Sequence, residues 1–171
     1  MKLLDWYRNR GLKKITEQIK KTYPGFKSSE SYLLFYQYSQ LKQAEVAVWE
    51  RILKEAGKQV DCLAFYEGKD KDLPQDIYPQ HFTSQGLSWR GKPKNEVFAK
   101  AISKTYDVFI DLSTDDHIAA KHVRYGSKAA LKVNFGQQET LWSDLQLDFK
   151  LPEEGESARK ALLKLLAFIN K

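Results

Sequence analysis

The chain has 171 residues, of which 42% are hydrophobic, so it can bury the core of one domain without cross-links. Its single cysteine, Cys62, excludes an intramolecular disulfide and a cluster of thiolate metal ligands, and it favours a reducing compartment. The net charge of +6 belongs to residues 1–27, which carry eight basic and two acidic side chains, because the other residues carry twenty of each.

Residues 1–27 form the first predicted element, a basic amphipathic N-terminal helix that Pro24 and Gly25 should end. This segment lacks the uninterrupted apolar run of a signal peptide or membrane span, so we expect a cytoplasmic protein. Its charge suits an anionic membrane surface or a nucleic acid as a minor hypothesis for a partner. Docking of the helix on the protein's own sheet is the simpler expectation.

The next elements follow in the order strand, helix, strand. Residues 31–38 contain an aromatic-rich run typical of a buried strand, and residues 60–66 contain a second apolar run. Between them, residues 42–56 predict a helix, because small and apolar side chains recur every four positions. The repeating positions are Ala44, Val48, Ile52 and Ala56. This order is the crossover unit of a parallel sheet.

Residues 67–95 are the least regular part, with a short predicted strand at 81–83. Alternation of helices and strands then resumes twice. The later predicted elements are a helix around 97–102, a strand at 107–112, a helix ending near Gly126, strands at 130–135 and 145–149, and an amphipathic C-terminal helix around 158–169. The last two strands alternate apolar and polar residues, which places them near a sheet edge.

This alternation predicts that residues 28–171 form a single three-layer α/β domain. We expect a Rossmann-like or flavodoxin-like fold with a mostly parallel sheet of five or six strands and flanking helices. Ligands of such sheets bind beyond the carboxyl ends of the strands, where helix N-termini point outward. Candidate site residues are therefore sought in the loops at that edge.

One such loop, residues 86–92, has the glycine and lysine spacing of a phosphate-binding P-loop. Pro93 stands where a serine or threonine would bind magnesium, so nucleotide hydrolysis is disfavoured. The basic side chains still converge on a predicted helix start and could bind a carboxylate or phosphate: Arg90, Lys92 and Lys94. Trp89 could stack on a ligand or anchor the loop to the core. A solvated turn before a helix starting at Pro93 is the alternative.

The second polar cluster follows the strand at 107–112. Asp111 is a weak candidate for a general base or magnesium ligand, with Ser113 and Thr114 as candidate ligand contacts. Alternatively, Ser113 or Thr114 caps the following helix. His117 and His122 are five residues apart and do not share the helical face of paired zinc ligands, so no metal site is predicted. No dinucleotide fingerprint occurs, and no cofactor is expected.

Residues 87–96 and 106–112 resemble a domain-of-unknown-function family of short bacterial cytoplasmic proteins. That resemblance implies a compact Rossmann-like domain and brings no known activity or catalytic residue. Residues 106–136 are also similar to the acceptor-side domain of heptosyltransferase-like glycosyltransferases. Those enzymes bind their sugar nucleotide largely through a second domain, so this local similarity does not imply glycosyl transfer.

These features favour a non-catalytic binding or interaction domain whose partner is a small anionic ligand or a protein. The first alternative is a small transferase-like enzyme acting on a phosphorylated or nucleotide-sugar substrate. In that enzyme Asp111 would act as base or metal ligand while Lys92 and Lys94 hold the substrate. The second alternative is peripheral binding of an anionic membrane or nucleic acid through residues 1–27.

Overall fold

The computed structural model describes residues 25–89, 91–113, 117–135, 143–147, 160, 162–163 and 165–167. The predicted N-terminal helix therefore lies almost entirely outside the described residues, as do Arg90 and Thr114. Within the described parts of the chain, no helix is both long and apolar enough to cross a membrane.

Strands and helices alternate along the described chain, as predicted. The strands are β1 (Ser31–Gln37), β2 (Gln59–Tyr66), β3 (His81–Thr83), β4 (Val108–Asp111), β5 (Leu131–Phe135) and β6 (Leu145–Leu147). The α-helices with complete bounds are α1 (Gln40–Glu55), α2 (Glu96–Ser103) and α3 (Ile118–Gly126). Near the C-terminus, the described residues from 160 to 167 are also helical.

The six strands form one sheet in the order β3-β2-β1-β4-β5-β6, and every neighbouring pair is parallel. This confirms the predicted parallel α/β fold and the position of the last two strands towards one edge. Strands β2 and β3 follow β1 outwards on one side of the sheet, and β4, β5 and β6 follow outwards on the other side of β1. The switch point, where the strand order reverses, therefore lies between the carboxyl ends of β1 and β4.

Helices cover both faces of the sheet and give the three predicted layers. One face packs against α1 and the C-terminal helical residues, including Trp49, Leu53 and Leu162. The other face packs against α2 and α3, including Phe98 and Val123. The central strand β1 is buried on both faces, because its residues 32–36 have no exposed surface.

The helix α1 forms where predicted, but it buries a different face. Val46, Trp49 and Leu53 are fully buried, whereas Ala44 and Ala56 are exposed. The buried side chains follow the three- and four-residue spacing of a helix face. The four-residue repeat used for the prediction drifts around the helix, because one turn contains 3.6 residues. The prediction of the face was therefore wrong.

The helix α2 begins at Glu96 rather than at Pro93. Asn95 is its N-cap, and the Asn95 side chain accepts a hydrogen bond from the Phe98 N–H at 3.2 Å. Pro93 is buried and lies in an isolated antiparallel bridge with Leu87. The loop before α2 therefore turns back on itself instead of leading directly into the helix.

Candidate functional site

The candidate P-loop is a tight hairpin, here called the Trp89 hairpin and comprising residues 86–94 without the undescribed residue 90. Trp89 lies at its tip, in a turn closed by a 2.8 Å hydrogen bond from the Gly91 N–H to the Ser88 carbonyl. Three further backbone hydrogen bonds run from Leu87 to Ser84, Ser88 to Lys92, and Lys94 to Gly86. The hairpin is therefore a closed unit with its own backbone partners.

Gly91 attaches the hairpin to the body of the domain. Its φ is +76°, and a Cβ atom there would lie 2.6 Å from two side-chain carbons of Ile118, the first residue of α3. Only glycine combines this backbone conformation with so close an approach. Because Gly91 and Pro93 are both buried, the second arm of the hairpin is held against the domain while Trp89 remains exposed.

Trp89 is 69% exposed. The indole therefore lies outside the core, and the loop is anchored by Gly91 and Pro93 rather than by the tryptophan. Among the described residues, Leu163 is the other large hydrophobic side chain with comparable exposure. A tryptophan held at the tip of an anchored hairpin presents a large amphipathic surface, which is typical of residues that dominate protein interfaces.

Among the described residues of the hairpin, five backbone N–H groups have internal partners and are not available to cradle a phosphate. The Lys92 N–H donates to the Ser88 hydroxyl at 3.1 Å, in addition to the backbone hydrogen bonds that close the hairpin. Pro93 has no N–H to offer. A P-loop binds phosphate through backbone N–H groups that point at the ligand, and here those of residues 87, 88, 91, 92 and 94 have internal partners.

Lys92 and Lys94 provide positive charge beside the tip. Both are exposed, and they flank the buried Pro93, so their side chains project from the same outward face of the extended backbone. Neither lysine forms an ion pair with another described residue. Arg90, the third predicted basic contact, lies outside the described residues. The hairpin thus combines an exposed indole with two available cations.

Asp111 lies in a different environment, inside the domain. It has no exposed surface, and its Oδ2 accepts a hydrogen bond from Arg124 Nε at 2.5 Å. The Ser113 N–H and hydroxyl both donate to Oδ1, and Arg124 Nη2 donates to the Ser113 hydroxyl. Both carboxylate oxygens therefore have protein partners. This arrangement supports a structural role that ties β4 to α3, rather than a general base or a magnesium ligand.

Ser113 belongs to the same network and does not cap α3. The N-cap is His117, whose Nδ1 accepts a hydrogen bond from the Ala119 N–H at 3.1 Å. The prediction that Ser113 caps the helix was wrong, because α3 begins at Ile118, five residues further along the chain. The alternative prediction for Thr114 falls outside the described residues.

Sequence reasoning missed a further polar cluster, which lies on the buried side of α1 and is separate from the Asp111 cluster. Glu45 is only 6% exposed, and its Oε2 accepts a hydrogen bond from Lys42 Nζ at 2.7 Å. Its Oε1 has no hydrogen-bond partner, and neither has Nε1 of the fully buried Trp49. Burial raises the pKa of Glu45, although Lys42 opposes the shift. The sequence contained one signal that could have indicated this cluster, namely an acidic residue one helical turn before a tryptophan in a predicted helix.

The thiol of Cys62 lies in an environment that disfavours the reactive thiolate. The side chain is 5% exposed, and burial raises its pKa to about 12. A thiol needs to ionise before it can act as a nucleophile. Among the residues with described positions, no three His, Cys, Asp or Glu side chains are grouped as metal ligands.

A family model described as "Family of unknown function (DUF6913)" matches residues 1–169. The chain belongs to this family. This match confirms the predicted resemblance to a family of unknown function. Comparisons with curated proteins and with solved structures each found no match.

The DUF6913 match covers the Trp89 hairpin, the Asp111–Arg124 pair and the α1 cluster. It supplies no activity for any of them. The similarity of residues 106–136 to heptosyltransferase-like enzymes remains a prediction. The geometry of the protein's own side chains therefore carries any proposal of function.

Proposed function

We propose that this DUF6913 protein is a non-catalytic interaction domain that binds an acidic segment of a partner protein through the Trp89 hairpin. The observation that carries the proposal is an indole that is 69% exposed, beside two exposed lysines that form no ion pair with another described residue. Tryptophan is enriched among the few residues that dominate binding energy at interfaces. The lysines add complementarity to carboxylates and faster association.

The arrangement suits a protein segment better than a small anion. Five of the backbone N–H groups in the described part of the hairpin already have internal partners, so they are not available to a phosphate. The described side chains that remain at this surface are an exposed indole and two exposed ammonium groups. A protein segment can cover the ring with an apolar side chain and place a carboxylate near each lysine.

A peptide-binding experiment tests this proposal. The probe is a fluorescein-labelled synthetic peptide of alternating Glu and Leu, and its matched control replaces every Glu by Gln. We expect anisotropy to report binding of the Glu peptide that weakens as salt rises, because salt screens exposed charges. Trp89→Ala should weaken this binding by at least about tenfold.

Charge variants separate the two contributions. Replacing both Lys92 and Lys94 by Gln should weaken binding and flatten its salt dependence. The matched control replaces Lys27 and Lys128 by Gln, since both are exposed lysines near the amino edge of the sheet. Equal binding by wild type and Trp89→Ala would overturn the proposal. Saturable stabilisation by phosphate or nucleotides that depends on Lys92 and Lys94 would instead favour a small anionic ligand.

We also propose that this is a cytoplasmic protein of bacteria, as its resemblance to a family of short bacterial cytoplasmic proteins implies. The support is its single, buried Cys62, which suits a reducing compartment. Binding of residues 1–27 to anionic membranes or nucleic acid remains a separate hypothesis, supported by the charge of that segment. Salt-sensitive binding to anionic liposomes or DNA that persists after deletion of residues 1–27 would contradict it.

A further inference from the structure

Two buried polar atoms on α1 lack partners and lie one helical turn apart. Glu45 Oε1 is a hydrogen-bond acceptor, and Trp49 Nε1 is a donor. Their spacing of four residues puts both side chains on one face of the helix. Buried polar groups are nearly always hydrogen-bonded, because an unsatisfied one destabilises the folded state. An unpartnered acceptor and an unpartnered donor on one helix face therefore indicate a place for a group that can satisfy both.

This pair lies on the side of α1 that faces the switch point of the sheet. The Trp49 ring packs edge-on against Phe135, the last residue of β5, with ring centroids 5.4 Å apart. Because β4 lies between β1 and β5, this contact means that Trp49 reaches from α1 over β4, which is on the switch-point side of β1. Glu45 is one turn nearer the N-terminus of α1, so it lies further towards the carboxyl edge. Ligands of sheets with this strand order bind at that edge, beside the switch point.

The charges of the cluster favour a neutral ligand. Lys42 already pairs with Glu45 Oε2 at 2.7 Å, so the two side chains carry no net charge together. A hydroxyl group both donates and accepts hydrogen bonds, and one hydroxyl can donate to Glu45 Oε1 while it accepts from Trp49 Nε1. We infer that Glu45 and Trp49 bind a hydroxyl of a small neutral sugar or of the ribose of a nucleoside. This inference is independent of the partner proposed for the Trp89 hairpin.

Indole N–H signals provide a direct readout. The chain has four tryptophans, so the ¹⁵N-labelled protein should give four indole signals. The Trp49 signal is assigned by its loss in Trp49→Phe, which keeps an aromatic ring but removes the donor. The probes are ribose, glucose, adenosine and adenine. We expect a hydroxyl-bearing probe to shift the Trp49 signal saturably, while adenine does not and the Trp89 signal stays in place.

Two variants connect the shift to Glu45. Glu45→Met removes the acceptor and should weaken binding by at least about tenfold, because the ligand hydroxyl loses its partner. Glu55→Gln, at an exposed position of the same helix, is the matched control and should bind like wild type. Should Glu45→Met not fold, Trp49→Phe replaces it, with calorimetry as the measurement and the same tenfold loss expected.

The outcomes separate the sources of the hydroxyl. Binding of ribose or glucose supports a free sugar, and binding of adenosine alone supports a nucleoside. The inference is overturned if no probe shifts the Trp49 signal, if adenine binds as well as adenosine, or if the folded variant that lacks Glu45 Oε1 or Trp49 Nε1 retains wild-type affinity.

Discussion

Asp111 illustrates how the surroundings of one residue determine its role. A carboxylate at the end of a central strand is a reasonable candidate for catalysis when only its position in the sequence is known. In the fold, Arg124 from α3 and the neighbouring Ser113 donate to both oxygens of that carboxylate. The partnership with Arg124 spans thirteen residues, so no local pattern could reveal it.

Loss of either member of this buried ion pair should destabilise the protein strongly. We expect Asp111→Ala or Arg124→Met to lower the free energy of unfolding by about 3 to 5 kcal/mol, because each leaves an uncompensated buried charge. Urea denaturation measures this change. The double variant should lose clearly less than the two single variants combined. Additive losses would contradict direct coupling between the two side chains.

The stability of the protein at low pH should depend in part on Asp61. Burial alone would raise the pKa of Asp61, but hydrogen bonds from Lys104 Nζ at 2.7 Å and the Tyr106 hydroxyl at 2.8 Å outweigh it and lower the pKa. Ionised Asp61 therefore stabilises the folded state above its unfolded pKa, and this stabilisation is lost as the pH falls through the lowered value.

Asp61→Asn tests this dependence. The variant should be less stable than wild type at about pH 6, and the difference should shrink as the pH falls through the lowered pKa of Asp61. Urea unfolding at a series of pH values measures the difference. A difference that is constant over this range would show that hydrogen bonding, rather than ionisation, is responsible.

The Trp89 hairpin shows how an element depends on a single backbone position. Gly91→Ala should destabilise the protein by at least about 1 kcal/mol, because φ is positive there and the added Cβ would meet Ile118. Gly86→Ala is the matched control in the same hairpin, since a Cβ at that position meets nothing within 4 Å. Chemical denaturation distinguishes the two variants, and equal losses would contradict the role given to Gly91.

At the level of elements, periodicity predicted which segments are helices and strands, but not all of their contacts. The helix α1 was placed correctly, while its buried face was wrong because the face is set by Trp49 and its neighbours packing on the sheet. The alternative interpretation of the loop, a helix starting at Pro93, was wrong because that proline pairs with Leu87 in the hairpin. Such contacts arise between segments and are absent from local patterns.

For the whole molecule, alternation of helices and strands predicted the parallel sheet but could not choose between its Rossmann-like and flavodoxin-like orders. That choice depends on the side of the sheet to which each connection returns. The connection from β2 to β3 contains only a 3₁₀ turn, Asp70–Asp72, and β3 lies beside β2 at the edge. The candidate pair Glu45 and Trp49 could not be placed beside the switch point without this order.

Cys62 offers a probe of global unfolding. It is the only cysteine of the chain, and burial holds it protonated within the core. We expect a thiol reagent to label the native protein slowly at about pH 8 and to label it rapidly once urea unfolds the domain. Rapid labelling under native conditions, with wild-type stability, would contradict the buried position of the thiol.

The outermost strands of the sheet, β3 and β6, are each three residues long. Few N–H and C=O groups are therefore left unpaired along the two borders, and an incoming extended chain finds little to pair with. The long apolar strands β1 and β2, which would self-associate if exposed, lie in the interior. The fold thus protects its most aggregation-prone segments by keeping them away from its borders.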